Sequence, residues 1–207
     1  MKVTTRYEMK IWILTAILVG MLIFDPTVAS ASTVNFLQDD FDDETAALNY
    51  SSFENWTVLT GAIDTIASGT FGIDCAGGTG ICIDLDGSSG DAGELVTNDT
   101  FAAGVYTLSF ALSGNQRVPS ADDEVTVLFG DLSESISISD PFAPFEIFTR
   151  TVTVGVGGDV LTFSHAGGDN VGLILDNVTV APVPLPGAFY LFATACIGLF
   201  AGRLRQA

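Results

Sequence analysis

A strict alternation of apolar and polar residues near the middle of the chain most constrains its fold. In the stretch YTLSFALS (residues 106–113), Tyr106, Leu108, Phe110 and Leu112 fall on one side of an extended chain, and small or polar residues fall on the other. This period of two predicts a half-buried β-strand, because successive side chains of a strand point to opposite faces of a sheet.

Further short runs with strand character recur along the chain, at residues 56–59, 81–86, 124–130, 147–155, 160–165 and 171–180. Clusters of Gly, Asp, Asn and Ser that favour turns separate them, and no segment between the chain ends keeps a helical period for long. A chain of 207 residues has room for one core of ordinary size. We therefore expect an all-β body folded as two packed antiparallel sheets, specifically a jelly roll.

The charge balance narrows the range of partners. The chain has 7 Lys and Arg against 25 Asp and Glu, a formal net charge of −18, and only Arg117 and Arg150 lie between its two apolar ends. Such an anionic body repels phosphate backbones, which excludes nucleic acid as a partner. Divalent cations remain compatible with this charge, although the acidic residues can also serve only to keep an exported protein soluble.

The N-terminus has the three parts of an export signal. A basic start precedes an apolar run at residues 11–24, and Ala29 and Ala31 follow with the small-residue spacing of a cleavage site. The basic residues are Lys2, Arg6 and Lys10. We expect residues 1–31 to be removed as a signal peptide; the alternative is a retained anchor helix, but the run is shorter than the ~20 residues that usually span a bilayer.

Export to an oxidising compartment suggests a role for two of the three cysteines. Cys75 and Cys82 flank the Gly-rich stretch AGGTGI, which can fold back on itself, so we expect a disulfide between them. Cys196 lies in the apolar C-terminal segment without a partner there. Two thiols with no adjacent histidine or second pair do not complete a zinc site.

Catalytic motifs are absent from the sequence. His165 is the only histidine and lies on the same strand face as Leu161 and Phe163, which indicates a hydrogen-bonded or strand-end residue. The chain contains no nucleophile elbow, no HExxH zinc motif and no phosphate loop. Acidic residues are too many for a glycosidase pair to be singled out. We therefore expect a non-enzymatic protein.

Four segments of the body, taken in their order along the chain, are similar to segments of a known class of domain. They are residues 55–64, 83–95, 106–115 and 167–180. Together they resemble the galactose-binding-like β-sandwich modules of bacterial surface proteins and plant cell-wall proteins. The resemblance implies a jelly roll, relatives that often bind carbohydrate, and no catalysis. It also implies a structural calcium between the first and last strand regions, with Asp40, Asp42 and Asp176 as ligands; the alternative is a solvated acidic loop.

Sugar sites usually combine an aromatic platform with polar groups, and the body offers few candidates for them. Trp56 and Tyr106 belong to strand patterns that suit the core, and Asn115 lies beside Arg117 in a loop. Arg117 is the candidate ligand-binding residue, because it can hold an acidic sugar. It can equally pair with a neighbouring carboxylate.

The C-terminal segment, residues 182–207, combines a proline motif, an apolar run and a basic end. The motif is Val183, Pro184, Leu185 and Pro186, and the basic residues are Arg203 and Arg205. This arrangement resembles the sorting signal of PEP-CTERM proteins in its VPLP form, although the Pro-Glu-Pro sequence is missing and the basic end is short. A plain C-terminal membrane anchor is the alternative, whereas the arginines disfavour a GPI-type signal.

The resemblance implies a substrate of an exosortase, a membrane-bound processing enzyme of Gram-negative bacteria that make exopolysaccharide. We therefore expect a β-sandwich at residues 32–181 that is exported, held in the inner membrane during sorting, and released to the surface or the extracellular matrix. There it would associate with exopolysaccharide and carry no cofactor beyond structural calcium. The alternative is a carbohydrate-binding module that stays anchored in the membrane.

Overall fold

The computed structural model describes residues 36–117 and 123–184. The predicted signal peptide and most of the predicted sorting signal lie outside them, including Leu185, Pro186, Arg203 and Arg205. Val183 and Pro184 are described and are exposed just after the last strand. No helix within the described ranges is both long and apolar enough to cross a bilayer.

The described chain is built from eleven strands and one short 3-10 turn at Ala76–Gly78. The strands are β1 (Leu37–Asp39), β2 (Trp56–Thr60), β3 (Asp64–Ala67), β4 (Ile81–Asp84), β5 (Glu94–Thr97), β6 (Gly104–Ser113), β7 (Glu124–Phe129), β8 (Leu132–Ser137), β9 (Glu146–Val154), β10 (Thr162–Ala166) and β11 (Ile174–Pro182). Every run that the sequence predicted as a strand overlaps one of these elements, so the all-β prediction is confirmed.

The strands form two sheets in which every pairing between strands is antiparallel. Sheet 1 has the order β3-β4-β11-β6-β9, and β1 also pairs with β11. Sheet 2 has the order β2-β5-β10-β7-β8. The last strand of the body, β11, thus lies in the middle of sheet 1 and bonds to β1, β4 and β6.

The core lies between the two sheets and follows the alternation seen in the sequence. In β6, Tyr106, Leu108, Phe110 and Leu112 are all buried. Across from them, Trp56 of β2 is buried too, as predicted for a core residue, and its indole N–H donates to Asp39 Oδ2 at 2.9 Å. The largest rings pack in contact, since Phe163 lies 5.2 Å from Phe110 and 6.0 Å from Trp56 between ring centroids.

A second, smaller apolar cluster lies on the outer face of sheet 1. It consists of Ile66, Ile73, Cys75, Cys82 and Ile174, with Phe145 packed against it. Cys82 and Ile174 alternate with core residues along their strands, so they point away from the sandwich. The segment of residues 68–80, which we call the disulfide loop, folds over them and shields them from water.

Candidate functional site

Two adjoining cavities on the outer side of sheet 1 share the side chain of Phe145 and together make a groove. One, of about 390 Å³, lies between the disulfide loop and the β8–β9 loop (residues 138–145). The other, of about 440 Å³, continues over the outer face of the sheet. The residues that line the groove are Gly72, Asp74, Cys75, Ala76, Gly78, Ser109, Phe110, Ala111, Gln116, Phe142, Ala143, Pro144, Phe145, Ile147 and Asn177.

One wall of the groove is apolar and exposed. Phe142 is 67% exposed and Ile147 is 73% exposed, while Phe145 between them is half-buried against the outer cluster. Backbone hydrogen bonds from the end of β6 hold the β8–β9 loop in place, since Gly114 N donates to Ala143 O at 3.1 Å. The exposed Phe142 ring is therefore carried by an ordered loop.

Gln116 joins the two loops that form the groove. Its Oε1 accepts from Asp74 N at 2.9 Å, and its Nε2 donates to Asp74 O at 2.8 Å. Its own backbone N–H donates to Pro141 O at 2.7 Å. Gln116 thus bridges the two loops, with its side chain on the disulfide loop and its backbone N–H on the β8–β9 loop, and it leaves the carboxylate of Asp74 exposed at the groove.

The opposite wall is the disulfide loop, which is held in place at Cys75 and Ala76. Cys75 and Cys82 form the predicted disulfide, with a Cα–Cα separation of 5.4 Å. Cys75 N donates to Ser68 Oγ at 3.1 Å, and Ala76 N donates to Asp176 Oδ2 at 2.9 Å. The loop is therefore tied covalently to β4 and by a hydrogen bond to β11.

Asp176 lies beneath this loop and is buried. Its Oδ1 accepts from Asn177 N at 2.7 Å, and burial raises its pKa to about 6, with repulsion from Asp42 and Asp40 acting in the same direction. Asp42 in turn approaches Gly80 so closely that a Cβ at residue 80 would lie 1.9 Å from Asp42 Oδ1. Asp40 and Asp42 are therefore near enough to Asp176 for their charges to raise its pKa, but among the described residues these three carboxylates do not form a set of ligand atoms within 4.8 Å of one another.

Two of the predicted calcium ligands, Asp40 and Asp42, use carboxylate oxygens to accept backbone hydrogen bonds. Asp40 Oδ1 accepts from Asp42 N at 3.2 Å, and Asp42 Oδ1 accepts from Ile81 N at 2.8 Å. Among the described residues, one group of potential metal ligands lies within 4.8 Å of one another. It consists of a carboxylate oxygen of Asp176 and the sulfurs of Cys75 and Cys82. Sulfurs that are bonded to each other are not thiolate ligands, so this group does not test the predicted calcium site. Calcium at Asp40, Asp42 and Asp176 stays a prediction.

Arg117 does not reach the groove. Its Nη2 forms an ion pair with Oδ2 of the buried Asp84, which is the second of the two roles that the sequence left open. The Oδ1 atom of Asp84 accepts from Gly172 N at 3.0 Å and from Asp86 N at 3.2 Å. Burial raises the pKa of Asp84 to about 7, although the Arg117 charge and both backbone donors act to lower it.

The neighbours of this ion pair are also internal. Asn115 is buried; its Nδ2 donates to Asp123 Oδ2 at 2.6 Å, and its Oδ1 accepts from Arg117 N at 2.8 Å. Burial raises the pKa of Asp123 as well. His165 is buried at the end of β10, and its Nε2 accepts from Leu173 N at 3.2 Å, as expected for a hydrogen-bonded strand-end histidine. The ligand-binding role of Arg117 stays a prediction.

Sequence reasoning missed the residues that do line the groove. Phe142 and Phe145 lie in the stretch DPFAPF, where prolines interrupt the strand pattern, and an aromatic pair in such a loop was the available signal. Gln116 gives no signal of its own, because its partner Asp74 is 42 residues away in the sequence.

No family model and no curated protein matches the chain. Among solved structures, the K1 cleaved adhesin domain of Lys-gingipain from Porphyromonas gingivalis W83 is 14% identical, with a TM-score of 0.51 over 72% of this chain and 99% of that domain. The K2 adhesin domain of Lys-gingipain is also 14% identical, with a TM-score of 0.48 over 72% and 98%. CBM35 from Paenibacillus barcinonensis is 13% identical, with a TM-score of 0.40 over 72% and 99%. The K1 likeness supports the sandwich fold alone.

Proposed function

We propose that this chain is an exported, non-enzymatic surface or matrix protein whose sandwich binds carbohydrate in the groove. The observation that carries the proposal is the exposed ring of Phe142 beside Phe145, with the exposed polar side chains of Asp74 and Asn177 along the same groove. Sugars pack their C–H faces on aromatic rings and bond their hydroxyls to amides, so this combination of groups suits them.

The composition of the groove supports a binding role rather than hydrolysis. Asp74 is the single carboxylate among the described residues that line it. Glycoside hydrolysis usually needs two carboxyl groups about 5–9.5 Å apart across the scissile bond. A groove with one carboxylate and an apolar wall can hold a glycan but lacks the acid and base partners that would cleave it.

The test compares two similarly exposed phenylalanines, Phe142 in the groove and Phe71 at a separate cavity. The full-length chain, solubilised in a non-ionic detergent, is passed over immobilised exopolysaccharide from its host and over a panel of plant and bacterial glycans. We expect retention that Phe142→Ala abolishes and that Phe71→Ala preserves, since Phe71 is similarly exposed, at 65%, but does not line the groove. No retention on any glycan, or equal loss in both variants, would refute the groove as a carbohydrate site.

The tail motif supports a second element of the proposal, that an exosortase-type enzyme processes the protein at the inner membrane. The test is the mass of the mature chain from membrane and surface fractions, with its terminal peptides identified. A chain that begins near Ser32 and ends near Pro186 would support processing and release to the surface or matrix. A chain that still ends at Ala207 in the membrane would support the alternative, a permanently anchored carbohydrate-binding module.

Structural calcium beneath the disulfide loop is the third element of the proposal. Its support is the burial of Asp176 together with the repulsion from Asp40 and Asp42, which raises the pKa of Asp176. A divalent cation would offset that repulsion and hold the first strand region against β11.

A further inference from the structure

Each of the two arginines of the sandwich contacts a carboxyl group of the same chain. Arg117 pairs with the buried Asp84. Arg150 forms a bidentate ion pair with Glu134, in which Nε donates to Oε2 at 2.7 Å and Nη2 donates to Oε1 at 2.6 Å. The sequence has no lysine between residues 11 and 207, so the described sandwich offers no further lysine or arginine to a ligand.

The sandwich that carries the groove is strongly anionic. The whole chain carries a formal charge of −18, although five of its seven basic residues lie in the two terminal segments. The sandwich itself is therefore more negative than the chain as a whole. A surface field of one sign raises the local concentration of oppositely charged ligands and repels ligands of the same sign.

A carboxylate lies within the groove itself. Asp74 is exposed, and the hydrogen bonds with Gln116 use its backbone N–H and C=O rather than its side chain. Gln116 thus fixes the backbone of Asp74. The carboxylate of Asp74 faces water beside the apolar wall of Phe142 and Phe145. A ligand that packs on this wall can place a cationic group against Asp74.

We infer that the groove selects a polysaccharide of amino sugars with free amines, and that it rejects uronic-acid polymers. This inference rests on the proposed carbohydrate function and adds the chemical class of the ligand. The ring faces of the sugar pack on Phe142 and Phe145, and a protonated 2-amino group pairs with Asp74. Uronic acids bring negative charge to a groove that carries the Asp74 carboxylate and has no arginine among its described lining residues, so they are excluded.

The experiment compares three β-1,4-linked oligosaccharides of equal length, one of glucosamine, one of N-acetylglucosamine and one of glucuronic acid. Binding to the full-length chain in detergent is measured by calorimetry at about pH 6, where the sugar amines are protonated. We expect the glucosamine oligomer to bind about tenfold or more tightly than its N-acetylated counterpart, and the glucuronic acid oligomer not to bind. The preference should shrink as salt is added, because salt screens exposed charges.

Two charge-matched variants locate the effect. Asp74→Asn should weaken glucosamine binding about fivefold and leave binding of the N-acetylated oligomer unchanged. Asp91→Asn removes the same charge from an exposed residue outside the groove and should change neither. Equal losses in the two variants would overturn the role of Asp74. Equal or tighter binding of the neutral oligomer would overturn the amino-sugar inference alone, whereas no binding of any oligomer and no retention on the glycan panel would overturn the carbohydrate function as well.

Discussion

The buried carboxyl of Asp84 should make the protein more stable in mild acid than at neutral pH. Its pKa is raised to about 7 by burial in the folded state, against about 3.9 in an unfolded chain. The folded state therefore binds a proton more tightly than the unfolded state. The resulting stability is complete at low pH and is lost as the pH rises through about 7.

The size of this effect follows from the two pKa values. Proton linkage gives about 2 kcal/mol of additional unfolding free energy from Asp84 on going from about pH 7 to about pH 5. For a domain of ~150 residues, this corresponds to a rise in Tm of about 4–8 °C. The groups around the carboxyl are Arg117, Asp64 and the backbone N–H groups of Asp86 and Gly172.

The assay is urea unfolding at about pH 5, 6 and 7, followed by circular dichroism, for the wild type and for Asp84→Asn. Asparagine keeps the Oδ1 acceptor for Gly172 N but cannot ionise, so we expect the difference between the two proteins to change by about 2 kcal/mol over this range. Glu134→Gln is the control, because it breaks the half-exposed Arg150 pair and should cost less than about 1 kcal/mol at each pH. A constant difference between wild type and Asp84→Asn would refute the reasoning.

Three further predictions concern the groove wall and the core. Reduction of the Cys75–Cys82 disulfide should lower the unfolding free energy by about 2.5 kcal/mol on the chain-entropy model, measured by urea unfolding with and without a dithiol; an unchanged midpoint would contradict this. Millimolar calcium should raise the Tm of the wild type but not of Asp176→Asn, and identical melting curves in calcium and in chelator would remove the calcium proposal. Trp56→Phe should cost about 1–3 kcal/mol, because it leaves the buried Asp39 carboxylate without the indole donor, and a loss below about 0.5 kcal/mol in urea unfolding would show that this bond is dispensable.

The alternation of apolar and polar residues was enough to predict the sandwich but not all of its strands. The long strand β6 alternates in sequence, and its burial alternates as far as Phe110, beyond which Ala111 and Ser113 on the other face are buried as well. The short strands β3 and β5 have four residues each, too few for a period to be recognised. In β8, the sequence LSESIS has one buried residue, Ile136, so the sequence has little apolar signal there.

The groove could not be predicted, because it is made by contacts between distant segments. Asp74, Gln116 and Phe145 come from three separate loops, and only the fold brings them together. The same holds for Arg117, whose partner Asp84 is 33 residues away in the sequence. The sequence identified Arg117 as an unusual cation but could not decide between ligand and ion pair, because that choice depends on which carboxylate the fold buries beside it.

The central position of β11 determines when the protein can finish folding. β1, β4 and β6 pair with this strand, so all three wait for the final segment of the sandwich before sheet 1 closes. Pairings of such high sequence separation form slowly, and the unpaired edges are exposed in the meantime. The hydrogen bonding between β11 and β6 continues one residue beyond β11, since the N–H of Val183 donates to Val105 O at 2.8 Å. Proteolysis before this residue would remove part of the strand that closes sheet 1, whereas a cut beyond it would leave every described pairing in place.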